Sequence, residues 1–163
     1  MKRGGLELIG YCDSDYGGDA VERKSTSGYI YFLNKAPVSW CSKKQTIVVL
    51  SSYEAEYVAG CYAACQGIWL KELLAELKVI SGNFVQVRMD NTSAVNLARN
   101  PVSHGRSKHI EVKYHFLRDM VNKGRVELSY CKSEEQWADL FTKSVAGDRF
   151  EVLKQEIGVV SLR

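Results

Sequence analysis

A chain of 163 residues, 45% hydrophobic and 25% charged, has the size and makeup of one globular domain able to bury a real core, and a second domain is not expected. Its formal net charge of +3 is too small to establish a polyanionic partner on its own. Met1-Lys2-Arg3-Gly4-Gly5 leads straight into alternating Leu6-Glu7-Leu8, with no apolar stretch long enough for a secretory signal or a membrane span, so an intracellular setting without membrane is expected.

Leu6 to Asp13 alternates as a strand, Val21-Glu22-Arg23-Lys24-Ser25-Thr26-Ser27-Gly28 is a polar turn, and Tyr29-Ile30-Tyr31-Phe32-Leu33 is rich in β-formers. Asn34-Lys35-Ala36-Pro37 turns the chain, and Val38-Ser39-Trp40-Cys41-Ser42 makes a third strand, completing an antiparallel meander. The period then changes. Ser51 or Ser52 caps a helix with Glu54 in its first turn, and helical spacing persists through Ala59, Ala63, Leu70 and Leu74, with Gly67 a place for it to bend. Asn83 to Asp90 is a fourth strand, Thr92 to Arg99 a short helix stopped by Asn100-Pro101, and Val102 to His109 a polar loop. Glu111 to Asn122 forms a longer helix, with Val112, His115 or Phe116, Asp119 and Met120 at amphipathic spacing and Gly124 as its C′ residue. His115 reads as a packing residue. Val126 to Cys131 is the fifth strand, Ser133 with Gln136 suits a capping box for a helix through Lys143, and Arg149 to Ile157 is a last short helix.

Three hairpin-linked strands, a helix, and then strands separated by helices predict an α/β mixed sheet with helices on its faces. Such sheets place ligand sites beyond the carboxyl ends of their parallel strands, where Asp13 and Asp90 both stand. The five cysteines, Cys12, Cys41, Cys61, Cys65 and Cys131, are odd in number and lack a Cys-x-x-Cys pair. That pattern argues against a disulfide framework or a structural zinc site and for reduced thiols, mostly in the core. From Arg99 to Arg125 the cations Arg99, Arg106, Lys108, Lys113, Arg118, Lys123 and Arg125 meet only Glu111 and Asp119. The segment suits either a phosphate backbone or a solvated helix face.

Four acids carry the chemistry: Asp13 in Gly10-Tyr11-Cys12-Asp13, Glu56 in Tyr53-Glu54-Ala55-Glu56-Tyr57, Asp90 in Arg88-Met89-Asp90-Asn91, and Asp139 in Gln136-Trp137-Ala138-Asp139-Leu140-Phe141-Thr142-Lys143. Taken singly, each also reads as a turn former, helix former, N-cap or surface residue. Around them stand Arg23-Lys24-Ser25-Thr26-Ser27-Gly28-Tyr29, Ser39-Trp40-Cys41-Ser42-Lys43-Lys44-Gln45, Asp90-Asn91-Thr92-Ser93-Ala94, Asn100-Pro101-Val102 and Lys108-His109-Ile110. In this order the acids and the words around them resemble the ribonuclease H domain of copia-type LTR retrotransposon reverse transcriptase polyproteins, from about Leu8 to Lys143.

The resemblance implies a single ribonuclease H-like domain over residues 1–163, with a five-stranded mixed sheet in which strands 1–3 are antiparallel and strands 4 and 5 run parallel to strand 1. It implies that Asp13, Glu56, Asp90 and Asp139 are catalytic and hold two divalent ions. Carboxylates packed within a few ångström repel one another unless a cation intervenes, and an all-oxygen donor set suits Mg2+, with Mn2+ as an alternative. By the same resemblance Asp13 and Asp90 share both ions, Glu56 holds the one on the leaving-group side, and Asp139 the one on the nucleophile side. Glu56 is preferred to Glu54 by the Ala-Glu-Tyr match; residues two apart on a helix point about 200° apart, so only one faces the site. Asp13 is preferred to Asp15 in the same way, and Asp15 and Asp19 read as turn aspartates or outer-shell ligands.

The activity implied is endonucleolytic hydrolysis of the RNA strand of RNA/DNA hybrids, leaving 5′-phosphate and 3′-hydroxyl ends. The hybrid is read by shape and 2′-hydroxyls, with Ser14, Ser52, Asn91, Ser93, Arg106, Lys108 and His109 as candidate nucleic-acid contacts, although capping or plain solvation explains each of them too. Trp40 and Trp137 suit either a sugar stack or the core. Lys132-Ser133-Glu134-Glu135-Gln136 lacks the histidine that cellular ribonucleases H often carry before the last aspartate, while His104 and His109 are placed for substrate contact. The polymerase domain of the parent polyprotein is the implied partner, in a cytoplasmic retrotransposon particle or in the nucleus. A domesticated or decayed copy that binds nucleic acid without cutting it is the alternative.

Overall fold

The computed structural model describes residues 6–99 and 111–160, the side chains of 111–114 excepted. The described chain opens with three antiparallel strands, β1 (Leu8–Ser14), β2 (Thr26–Leu33) and β3 (Ala36–Lys44). β2 starts ahead of the expected Tyr29 because Thr26, Ser27 and Gly28 find ladder partners in Lys44, Lys43 and Ser42 of β3. The β2–β3 hairpin turns on Asn34-Lys35 alone, with Asn34 at a φ of 55° that asparagine tolerates. Pro37 already lies in β3, an edge strand where a missing N–H is cheap.

α1 (Ser52–Glu76) begins at the N-cap Ser51, whose hydroxyl accepts from the Glu54 N–H. The helix runs through Gly67 without a break, so the expected bend is not the reason for that glycine. A Cβ on Gly67 would strike Tyr31 Oη, and one on Gly10 would strike the same ring from β1. The two glycines make room for Tyr31, which is fully buried and donates its hydroxyl to the Ala63 carbonyl at 2.7 Å.

β4 (Val85–Met89), α2 (Thr92–Arg99), α3 (Glu111–Asn122) and β5 (Val126–Tyr130) follow, α2 and α3 with the predicted bounds. α3 closes at Gly124, φ 64°, where the Arg125 N–H reaches the Met120 carbonyl at 2.9 Å. Its inward residue is Leu117, flanked by Phe116, Met120 and Val121, whereas His115 is exposed. His115 lies about 200° around the helix from Leu117, which is why it does not pack inward as expected.

The sheet order is β3-β2-β1-β4-β5, with β1–β2 and β2–β3 antiparallel and β1–β4 and β4–β5 parallel, as predicted. Strand alternation supplies two apolar faces. Leu8, Cys12, Tyr31, Val87 and Leu128 pack beneath α1, α2 and α3, while Tyr11, Ile30 and Phe32 pack with Trp137 and Phe141 on the other side. All five cysteines are free, with Cys12, Cys61 and Cys131 buried. No helix among the described residues is long and apolar enough to cross a membrane.

The expected helix from Ser133 to Lys143 is absent. Two short 3-10 turns, Ser133–Glu135 and Trp137–Phe141, stand there instead, followed by α4 (Gly147–Glu156). Gln136 between them is extended and fully buried, donating to the Cys12 carbonyl at 2.9 Å and accepting from the Ala138 N–H at 3.3 Å. Pulled onto β1 in this way, it cannot serve the expected capping box. A tertiary hydrogen bond has overridden the local helix signal.

Candidate metal centre

In the parallel β1–β4 ladder Tyr11 faces Arg88, so two residues further on Asp13 comes level with Asp90 at the carboxyl ends of neighbouring strands. Glu56, in the second turn of α1, lies over the same end. One carboxylate oxygen from each of Asp13, Glu56 and Asp90 lies within 4.8 Å of the other two. Asp13 and Glu56 are buried and Asp90 is half-buried. Glu54 points elsewhere, accepting from the Leu50 N–H at 2.7 Å.

Crowding and burial leave a mark on these groups. Burial, and then the charges of Asp13 and Asp90, push the Glu56 carboxyl up to about 10. One Glu56 oxygen, Oε2, is buried without a hydrogen-bond partner. An orphaned oxygen on a glutamate grouped with two more carboxylates fits a hard divalent cation of the magnesium type, since every donor is oxygen. Zinc fits poorly: the cluster contains no histidine, and burial with the charges of Glu56 and Asp13 holds the Cys12 thiol well above its ordinary range, so it stays protonated.

Asp139 stands beside this group rather than within it. The second 3-10 turn buries it, and its Oδ1 lies 2.8 Å from Lys143 Nζ, which is also 3.5 Å from Asp13 Oδ2. Burial raises the Asp139 carboxyl despite the adjacent Lys143 ammonium that opposes it. For Lys143, burial disfavours the charge, but Asp139 and Asp13 outweigh that penalty and leave its ammonium raised. Thr142 donates its hydroxyl to Asp13 Oδ2, and Ser133 donates to Asp90 Oδ2 at 3.0 Å.

No family model matches the chain. It is 40% identical over 154 residues to the retrovirus-related Pol polyprotein from transposon TNT 1-94 of Nicotiana tabacum, covering 94% of this chain and 12% of the polyprotein. It is 38% identical over 163 residues to that from transposon RE2 of Arabidopsis thaliana, covering 99% of this chain and 11% of the polyprotein. The chain is a homologue of one segment of plant-transposon Pol polyproteins. It spans only about an eighth of their length.

Solved structures define the fold of this Pol-type segment. The N-terminal ribonuclease H domain of a Mycobacterium tuberculosis protein superposes with a TM-score of 0.62 at 13% identity, over 93% of this chain and 98% of that one. LC11 ribonuclease H1, solved in complex with an RNA/DNA hybrid, superposes at 0.57 and 15% identity, over 83% of this chain and 94% of that one. The fold is therefore ribonuclease H-like.

Several substrate-side candidates of this ribonuclease H-like chain are engaged within it. Ser14 is buried, with its hydroxyl between the Asp15 and Thr26 carbonyls and the Gln45 amide. Asn91 caps α2 by accepting from the Ala94 N–H at 3.1 Å. Ser52 and Ser93 are exposed in the first turns of α1 and α2, flanking the acids. His104, Arg106, Lys108 and His109 lie outside the described residues. Within the basic segment, Lys123 pairs with Asp119 at 2.7 Å and Arg125 with Glu72, so part of its charge is already matched. Asp15 accepts from the Thr26 N–H at the start of β2, and Asp19 binds the Val21 and Glu22 N–H groups and Lys44 at the end of β3, so both tie down the β1–β2 loop. Trp137 packs against Tyr11 and Phe32, while Trp40 is exposed on β3.

Four supporting residues escape a reading of the sequence alone: Gln45, Ser133, Thr142 and Lys143. Gln45 is buried and donates to Ser27 at 2.9 Å, to the Ala55 carbonyl at 3.0 Å and to Ser14 at 3.2 Å, tying β1, β2 and α1 together beside the acids. Gln45 and Lys143 each end a word that carries the resemblance, which was the available signal.

Proposed function

We propose that this segment is the ribonuclease H part of a copia-type retroelement reverse transcriptase, an endonuclease that hydrolyses the RNA strand of RNA/DNA hybrids with divalent cations, Mg2+ foremost. The observation that carries this reading is the convergence of Asp13, Glu56 and Asp90 within 4.8 Å at the carboxyl ends of β1 and β4, in a ribonuclease H-like fold. Asp13, Glu56 and Asp90 would hold the cation, with Asp139 beside Asp13 for a second one. When bound, such ions activate water and offset charge on the leaving oxygen.

The chain's own contribution is positioning. β1 and β4 are interior strands, each paired on both sides, so Asp13 and Asp90 stand at strand ends held from both edges. Thr142 and Ser133 orient their carboxylates through hydroxyl hydrogen bonds, and Gln45 and Gln136 pin the surrounding backbone. Polar groups near the acids meet the hybrid through phosphates and 2′-hydroxyls, without sequence readout. The reverse transcriptase polymerase is the expected partner, inside a cytoplasmic particle or in the nucleus.

The test is cleavage of hybrid, duplex RNA and duplex DNA, each with Mg2+ and with chelator. Cutting of the RNA strand in hybrid alone, lost in Asp13→Asn and Asp90→Asn with the fold intact by circular dichroism, is the expected result. Binding of hybrid without cutting would reassign the segment as a nucleic-acid-binding module.

A further inference from the structure

The two sides of the acidic cluster differ in one respect. Each side has a carboxylate oxygen buried without a hydrogen bond, Glu56 Oε2 on one and Asp139 Oδ1 on the other. On the Asp139 side an ammonium is already in place: Lys143 Nζ is 2.8 Å from Asp139 Oδ1 and 3.5 Å from Asp13 Oδ2. Lys143 follows Thr142, whose hydroxyl binds the same Asp13 oxygen, so the end of the second 3-10 turn delivers both contacts together.

We propose that Lys143 is a resident counter-cation, its ammonium standing between Asp13 and Asp139 and withdrawing when a divalent ion is shared by those two carboxylates. Lys143 then sets the ion concentration at which the second position fills. This inference rests on the metal-site reading above. Its side chain is 43% exposed, and a lysine ammonium on a four-carbon stem can swing into water without rearranging the backbone. The Glu56 side has no such competitor among the described residues, so the two positions fill in order: Asp13, Glu56 and Asp90 first, Asp13 with Asp139 second.

The experiment is titration of the purified, folded protein with Mn2+ alone, followed by calorimetry and by electron paramagnetic resonance of free Mn2+. Wild type is expected to bind one ion and then a second at least about tenfold more weakly, a gap of about 1.4 kcal/mol. Lys143→Met tightens the second step about tenfold and leaves the first within about twofold; Lys143→Gln follows it, and Lys143→Arg, which keeps the charge, restores the wild-type gap. A second step that is unchanged or weaker in Lys143→Met, beside wild-type binding that Asp13→Asn abolishes, overturns the counter-cation and leaves the metal site standing. Absence of Mn2+ binding by wild type overturns both.

Discussion

Gly28 lies directly across the β1–β2 ladder from Asp13, and the side chain it lacks is what lets Thr142 reach the Asp13 carboxylate. A Cβ on Gly28 would stand 2.7 Å from Thr142 Cγ2 and 2.8 Å from Phe141 Cβ. The turn carrying Asp139 and Lys143 is therefore seated on the sheet by the absence of a methyl group.

Gly28→Ala should displace that turn. The expected cost is about 1–3 kcal/mol from overpacking, with hybrid cleavage falling more than stability alone explains because Asp139, Thr142 and Lys143 move together. Thermal melting and cleavage rates on the same preparation check it; an unchanged rate would mean that Thr142 and Asp139 tolerate the shift.

Glu56→Gln should stabilise the metal-free protein. The folded carboxyl is raised to about 10 by burial and by Asp13 and Asp90, against an ordinary glutamate value near 4.5. Between those values the folded state holds a proton that the unfolded chain has released, so stability is lost as pH rises. With chelator present, the variant's advantage should be small at pH 5 and grow toward pH 8 by up to about 1.4 kcal/mol per pH unit. Added Mg2+ should reverse the order, since wild type keeps the ligand that the variant lacks. Melting curves at the two pH values, with and without Mg2+, decide it.

Gly67 and Tyr31 should show strong coupling. The worst contact of a Cβ at Gly67 is the Tyr31 hydroxyl oxygen, so Tyr31→Phe relieves it. Gly67→Ala alone is expected to cost about 1–3 kcal/mol, and Tyr31→Phe alone about 1 kcal/mol for the lost bond to the Ala63 carbonyl. The double variant should be more stable than the sum of the two costs predicts, by 0.5 kcal/mol or more on the ordinary scale of coupling between residues in contact, roughly. Additive costs in denaturant melts would contradict the steric account.

Gln136→Ala should leave the Cys12 carbonyl and the Ala138 N–H without their partner in a buried setting. About 1–3 kcal/mol is expected for each group left unpaired. Hydrogen exchange should show the damage concentrated in residues 133–143 rather than in α1.

The sheet was legible because its signals are local: alternation in β1, the bounds of α2 and α3, and Gly124 as a C′ residue all follow from neighbouring residues. The convergence of Asp13 with Glu56 and Asp90 followed once β1 and β4 were taken as neighbours, an adjacency that came from the resemblance and not from spacing. What stayed hidden depends on distant partners. Gln136 is captured by the Cys12 carbonyl and turns an expected helix into two 3-10 turns, and Ser133 bonds Asp90 instead of capping. Gly67, expected to bend α1, proved to be a seat for Tyr31.

The converging carboxylates at positions 13, 56 and 90 stand on a strand, on a helix and just past the end of a second strand, which no short stretch of chain joins. Their mutual proximity exists only in the native state, so an ion held there has nothing comparable to bind in the unfolded chain. Each tenfold excess of that ion over its dissociation constant then adds about 1.4 kcal/mol to folding stability. On this reading, divalent cations govern the lifetime of the folded protein as well as its chemistry, and chelation exposes it to proteolysis before any substrate is met.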